Sequence, residues 1–354
     1  MDKSDSLDVE IGRRALLRAA TVLAVAPAVS VSLAACNESD TGDREDEATA
    51  TQDKTNDNPT KDKPLSMADV PTLDVDASKR MFWTTEISTG RVMGITQADV
   101  KQFKGIPYGA STGGANRYLA PKKPASWTGV RECFSHGQIS PQPLNSLTSE
   151  YGRLINWDQH PGGMGEDCLS LNVWTPTMDR NAKKAVLVSF HGGGFASGSG
   201  NQLGFDGAMM AHSQDVVVVT VNHRLNVFGY LNLQDLGAPE EFRYAGVAGI
   251  MDLTASLEWV QENIESFGGD PTRVMIFGQS GGGAKTSIML SNPAAKGLFH
   301  RAGVQSGSAL RLADSARAAQ LSNLSFSRSA GNGLSTLRPS AWSVFALTTR
   351  PSFS

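Results

Sequence analysis

Apolar residues concentrate in three short runs in the middle of this chain: Ala185–Phe190, Asp215–Val221 and Arg273–Phe277. Within each run the apolar, largely β-branched residues are consecutive rather than alternating, which predicts strands covered on both faces. Between the second and third runs, Ile250, Leu253, Leu257, Val260 and Ile264 recur at helical spacing and predict a helix over Gly249–Phe267. Gly268-Gly269-Asp270-Pro271 is expected to end that helix and turn the chain into the next strand. Strand, helix, strand in this order predicts an α/β fold with a mostly parallel central sheet flanked by helices. Ordered structure is expected to begin near Phe82, with a hairpin over Thr85–Ile95 turning at Gly90.

The N-terminus has a different pattern. Arg13 and Arg14 precede a run of small apolar residues that reaches Ala35, the layout of a bacterial export signal of the twin-arginine type. Leu33-Ala34-Ala35-Cys36 is similar to a lipobox, in which cleavage before the cysteine leaves Cys36 to be acylated. An ordinary membrane anchor, for which the segment is almost long enough, and simple secretion are the competing readings. The alanine-rich run favours lipidation, with the membrane as partner through a lipid anchor on Cys36. The protein would then be exported and held on the periplasmic or extracellular face of the envelope. From Asn37 to Lys63 almost nothing is apolar, so residues 37–80 are expected to form an acidic, disordered tether after the 1–36 signal.

Composition narrows the function. A net charge of −3 and the lack of a basic stripe argue against nucleic acid as a partner. Three cysteines, Cys36, Cys133 and Cys168, are too few for a disulfide scaffold, and their spacing fits no zinc site. The 36 glycines suit a fold with many tight strand-to-helix turns.

Two glycine clusters carry the chemistry. Gly278-Gln279-Ser280-Gly281-Gly282 fits G-x-S-x-G, the turn that presents a nucleophilic serine between a strand and a helix. The strand Val274–Phe277 before it and a predicted helix over Ala284–Leu290 after it supply the required setting. The helix would point its positive end at a developing oxyanion. His191-Gly192-Gly193-Gly194-Phe195 follows another predicted strand, where bare glycines let backbone N–H groups approach a substrate carbonyl. The bland alternative is a mere glycine-rich turn.

With these clusters, Phe103-x-Gly105-Ile-Pro-Tyr108, Glu166–Trp174, Val219–Leu225, Asn263–Pro271 and Gln305-Ser-Gly-Ser308 occur in order, and the region from about 82 to 312 resembles the type-B carboxylesterases, relatives of cholinesterases and bacterial para-nitrobenzyl esterases. The resemblance implies an α/β-hydrolase fold, of which about the N-terminal two thirds is represented, and a serine esterase acting on small-molecule carboxylic esters. It makes Ser280 the nucleophile, and Gly193, Gly194 and the N–H of Gly281 the oxyanion hole, with no metal or organic cofactor. Gln279 stands where the family usually has Glu. The family's cysteine partner for Cys168 falls near Ser140, so Cys133 is either a substitute partner or a free thiol. Asp167, Asp252 and Asp270 are read as structural, His223 stands where the family often has tyrosine, and His300 is expected at a surface helix end.

A serine needs a base, and the base an orienting carboxylate. In α/β-hydrolases both follow the serine. The 74 residues after Ser280 contain one histidine, His300, in a block that aligns with a non-catalytic family segment, and one carboxylate, Asp314; neither is assigned a triad role. From Ser315 to Ser354 there is no Asp, Glu, Lys or His. A window of that length lacking acids alone has a chance on the order of one or two per cent. The expectation is an incomplete esterase domain over 81–322, a frameshift or premature end near Leu321–Phe326, and an atypical tail over 323–354, with a naturally low-charge tail as the alternative. Function is then ester hydrolysis through an acyl-enzyme on Ser280, weak or absent in the chain as written. The alternatives are a surface-displayed binding protein on a non-catalytic esterase scaffold, or a split enzyme completed by another chain.

Overall fold

The computed structural model describes residues 80–143, 161–309 and 320. The export signal with Cys36, the tether up to residue 79, Asp314 and the 323–354 tail lie outside the described residues.

Nine strands form a single sheet among the described residues. They are β1 (Phe82–Ile87), β2 (Gly90–Gln97), β3 (Val100–Pro107), β4 (Val130–Glu132), β5 (Ser170–Thr175), β6 (Lys184–Phe190), β7 (Val217–Val221), β8 (Gly269–Gln279) and β9 (Arg301–Gln305). Their order is β1-β2-β3-β5-β7-β6-β8-β9, with β4 on β2. The three apolar runs are therefore immediate neighbours: β6 lies between β7 and β8, parallel to both, with Val188 opposite Val219 on one side and Ile276 on the other. Val186, Val188, Phe190, Val219 and Ile276 are all fully buried, as continuous apolar runs require. β9 extends this parallel, site-bearing half. The other wing, β1, β2, β3 and β5, is antiparallel and joins the parallel half through β5 and β7.

Four α-helices are described: α1 (Ala208–Gln214), α2 (Asn226–Tyr230), α3 (Ala248–Asn263) and α4 (Gly281–Ser291). On α3 the expected stripe holds: Leu253, Leu257 and Val260 are fully buried in the main core, and Ile250 is partly buried against it. The α-helix stops at Asn263 and a 3₁₀ turn, Ile264–Phe267, completes the predicted span. Gly268 alone makes the reversal, at φ 75, and Gly269-Asp270-Pro271 already belongs to β8.

Other expectations are adjusted in detail. The N-terminal hairpin turns at Ser88-Thr89, because Gly90 pairs with Ile87. Gly90 is needed for another reason: with φ 146, it presses its Cα against Trp127, where a Cβ would fall 2.7 Å from the indole nitrogen. His300 does not end a helix. It is exposed, directly precedes β9, and its Nδ1 lies 3.3 Å from the Val274 backbone nitrogen. Cys133 and Cys168 are free, buried thiols, and burial pushes both up to about 12. Ser140 is buried, and its Oγ accepts a hydrogen bond from the Leu225 backbone N–H at 3.1 Å. Asp270 holds the start of β8, accepting from the Thr272 N–H and hydroxyl at 2.8 and 2.7 Å.

Candidate active site

The end of β8 and the first turn of α4 form the elbow. Ser280 sits between them at φ 56, ψ −120, outside the regions a side chain ordinarily tolerates, and it is half-buried. Two backbone bonds hold it there: its N–H donates to the Gln305 carbonyl at 2.8 Å, and its carbonyl accepts from the Ala284 N–H at 3.0 Å. Gln305-Ser306-Gly307 thus underpins the elbow from β9. The flanking glycines answer to space. A Cβ on Gly278 would lie 2.5 Å from the Gly282 backbone carbon, and one on Gly282 would overlap the Phe190 carbonyl oxygen. Bare backbone at both positions lets α4 leave directly over the end of β6.

The same approach brings the second glycine cluster to the serine. His191–Phe195 leaves β6, and a Cβ on Gly192 would lie 3.8 Å from that of Ser280. Gly193 and Gly194 are both left-handed, at φ 78 and φ 63. The Gly193 carbonyl accepts from the Ala196 and Ser197 N–H groups, closing the turn. The turn folds onto the elbow so closely that a Cβ on Gly281 would fall 2.5 Å from the Gly194 nitrogen. Ser280, Gly193, Gly194 and Gly281 are thereby gathered in one place. Among the described residues no side chain hydrogen-bonds to the Ser280 hydroxyl.

A polar layer lies behind the turn. The His191 ring is buried, with Nδ1 2.9 Å from the Gly192 carbonyl, and it stacks on His223 at 4.9 Å between centroids. His223 Nδ1 is 2.8 Å from the Arg224 carbonyl, so that nitrogen carries the proton and Nε2 is left a buried acceptor without a hydrogen bond. Burial first, then the nearby cation Lys285, pushes His223 well below the usual histidine range. Arg224 forms a buried ion pair with Asp252: Nη2 to Oδ1 at 2.6 Å, Nε to Oδ2 at 2.8 Å. Gln142 clamps Gly198 from both sides, donating to its carbonyl at 2.9 Å and accepting from its N–H at 2.6 Å. Lys285 of α4 is completely buried, and its Nζ donates to the His191 carbonyl at 3.0 Å.

Sequence reasoning singled out the serine and glycines but passed over Lys285, the histidine stack and the Gln142 clamp. For Lys285 a signal existed: it is the one charged residue in Gly281–Ser291, a helix otherwise of small and apolar or hydroxyl side chains. The rest depends on contacts between distant segments.

A model of the carboxylesterase family matches residues 83–331. The chain is 40% identical over 219 residues to a para-nitrobenzyl esterase of Bacillus subtilis, covering 62% of this chain and 42% of that protein. It is 38% identical over 229 residues to a human cocaine esterase, covering 63% of this chain and 40% of the relative. Among solved structures, a carboxylesterase of Geobacillus stearothermophilus superposes with a TM-score of 0.65 at 38% identity, over 76% of this chain and 52% of that one. The chain thus spans about two fifths of the length of these curated relatives.

Proposed function

This chain belongs to the carboxylesterase family, with an α/β-hydrolase fold, and on that premise we propose that it serves the hydrolysis of small-molecule carboxylic esters through an acyl-enzyme on Ser280. One observation carries the reading: the left-handed Ser280 and the Gly193-Gly194 turn meet at Gly281. In the proposed reaction Ser280 Oγ attacks the ester carbonyl carbon and its proton passes to a base. The carbonyl oxygen becomes an oxyanion facing the N–H groups of Gly193, Gly194 and Gly281, where each such donor is worth roughly 2.7–4 kcal/mol. Collapse expels the alcohol, to which the base returns the proton, and water, deprotonated by the same base, then releases the acid by the reverse geometry. Neither the base nor its orienting acid is assigned to a residue of this chain.

We further propose an exported protein lipid-anchored at Cys36, a reading supported by Arg13-Arg14 and Leu33–Cys36. Against a pure binding role stands the cost of the elbow. A left-handed serine between obligatory glycines adds strain without adding binding surface.

The test is a fluorophosphonate probe and a p-nitrophenyl ester applied to the full-length protein and to Ser280→Ala. The expected result is a label on the peptide carrying Ser280 and turnover, weak in the chain as written, that the substitution abolishes. A label elsewhere, turnover that survives Ser280→Ala, or neither label nor turnover overturns the reading.

A further inference from the structure

Lys285 sits five positions after Ser280 with its side chain wholly excluded from solvent. Among the described residues it has no carboxylate partner. Its ammonium donates to the His191 carbonyl at 3.0 Å and lies 5.7 Å from the centre of the Phe195 ring. His191 and Phe195 bracket Gly192–Gly194, so the cation bonds one end of the oxyanion turn and faces the aromatic ring at the other. Burying an amine is expensive, and one neutral acceptor with one aromatic face offsets the expense only in part. A methionine would fill the same space without that penalty.

We propose that Lys285 is a positioning residue for the oxyanion hole: its ammonium anchors the His191 end of the turn and sets a positive charge behind Gly192–Gly194, favouring negative charge on the substrate oxygen. This rests on the roles given above to Ser280 and the glycines. The effect follows from Coulomb attraction through the buried interior around Lys285, where a charge acts more strongly than it would in solvent.

Burial lowers Lys285 to about 7, so its charge is present below that value and lost above it. Other groups around it do not mask the change. From the loop after β7, His223 is held neutral by burial, and Arg224 is paired with Asp252 of α3. From the turn immediately after β6 comes His191, whose carbonyl is the acceptor. The charged residues of β8 and β9, Asp270, Arg273 and Arg301, lie four or more residues before the elbow end of their strands.

The experiment compares the full-length protein with Lys285→Met in kcat and KM between about pH 6 and about pH 9. KM should change little. At about pH 6, kcat/KM should fall by roughly ten- to a hundredfold in the variant, less than removal of a direct donor. The gap should close to a few-fold by about pH 9. With turnover dependent on Ser280, a gap that does not vary with pH, or no gap, overturns this inference alone. Turnover that survives Ser280→Ala overturns the nucleophile assignment and this inference with it. Should Lys285→Met fail to fold, ¹³Cε-lysine NMR of the wild type decides. A midpoint near 7 that rises once Ser280 is phosphonylated, with the phosphoryl oxygen in place of the oxyanion, supports the proposal. A midpoint in the ordinary lysine range, or one indifferent to phosphonylation, overturns it.

Discussion

Two buried cations lie behind the glycine turn, and the molecule treats them in opposite ways. Arg224, in the loop after β7, meets Asp252 through three hydrogen bonds, one from its backbone N–H, and donates a further one to the Leu119 carbonyl. Lys285, on α4, meets a single carbonyl. The arginine stays charged at any accessible pH, and its carboxylate partner fixes the geometry of Leu119, Arg224 and α3 together. The lysine can shed its proton near neutrality, because nothing of opposite charge retains it. The first arrangement suits a framework. The second leaves a charge whose presence depends on its surroundings, which a framework does not need.

The largest effect that would sharpen this contrast is expected from Asp252→Asn. With the carboxylate gone, Arg224 stays buried with its charge uncompensated, and the loss should be about 3–5 kcal/mol in urea unfolding. A loss below about 1 kcal/mol would mean that the pair is not the anchor its bonds suggest. Lys285→Met should act in the other direction. A fall from 10.5 to about 7 is a penalty of roughly 4–5 kcal/mol when the amine is forced to stay charged; allowing for the lost hydrogen bond, the variant should gain on the order of 3 kcal/mol. The sign follows from linkage. Between about 7 and 10.5 the unfolded chain holds a proton that the folded one has released, so this group's contribution to stability rises with pH. The gain should therefore be full below about pH 7 and fade towards pH 10.5. Unfolding curves that show a constant gain would contradict an unpaired, titrating amine. The smallest effect is expected from Lys183→Ala, which removes an exposed ion pair with Glu265 and should cost about 0–1 kcal/mol by the same measurement. A larger loss there would erase the distinction between buried and surface charge on which the contrast depends.

Much of the site was legible because its demands are local. Gly278 and Gly282 are glycines for lack of room, and that constraint appears in the sequence as G-x-S-x-G. The strands β6, β7 and β8 were legible because burial on both faces leaves consecutive apolar residues. β9 was not: Arg-Ala-Gly-Val-Gln has no apolar run, and it is a strand because parallel pairing with β8 makes it one. The hairpin turn lies in the two residues before the glycine that suggests it, because Gly90 serves to admit Trp127, 37 residues on. Arg224 and Asp252 are 28 residues apart, and no periodicity announces that they meet. Lys285 alone was open to notice, as a lone cation in a helix whose other side chains carry no charge.

The backbone of Ser280 has a consequence for descent. At φ 56 and ψ −120, glycine rests more easily than any residue bearing a Cβ. A gene copied and released from the duty of catalysis would find the exchange of this serine for glycine a gain in folding, and random change would be free to take it. In this chain a serine stands where backbone stability alone would favour glycine.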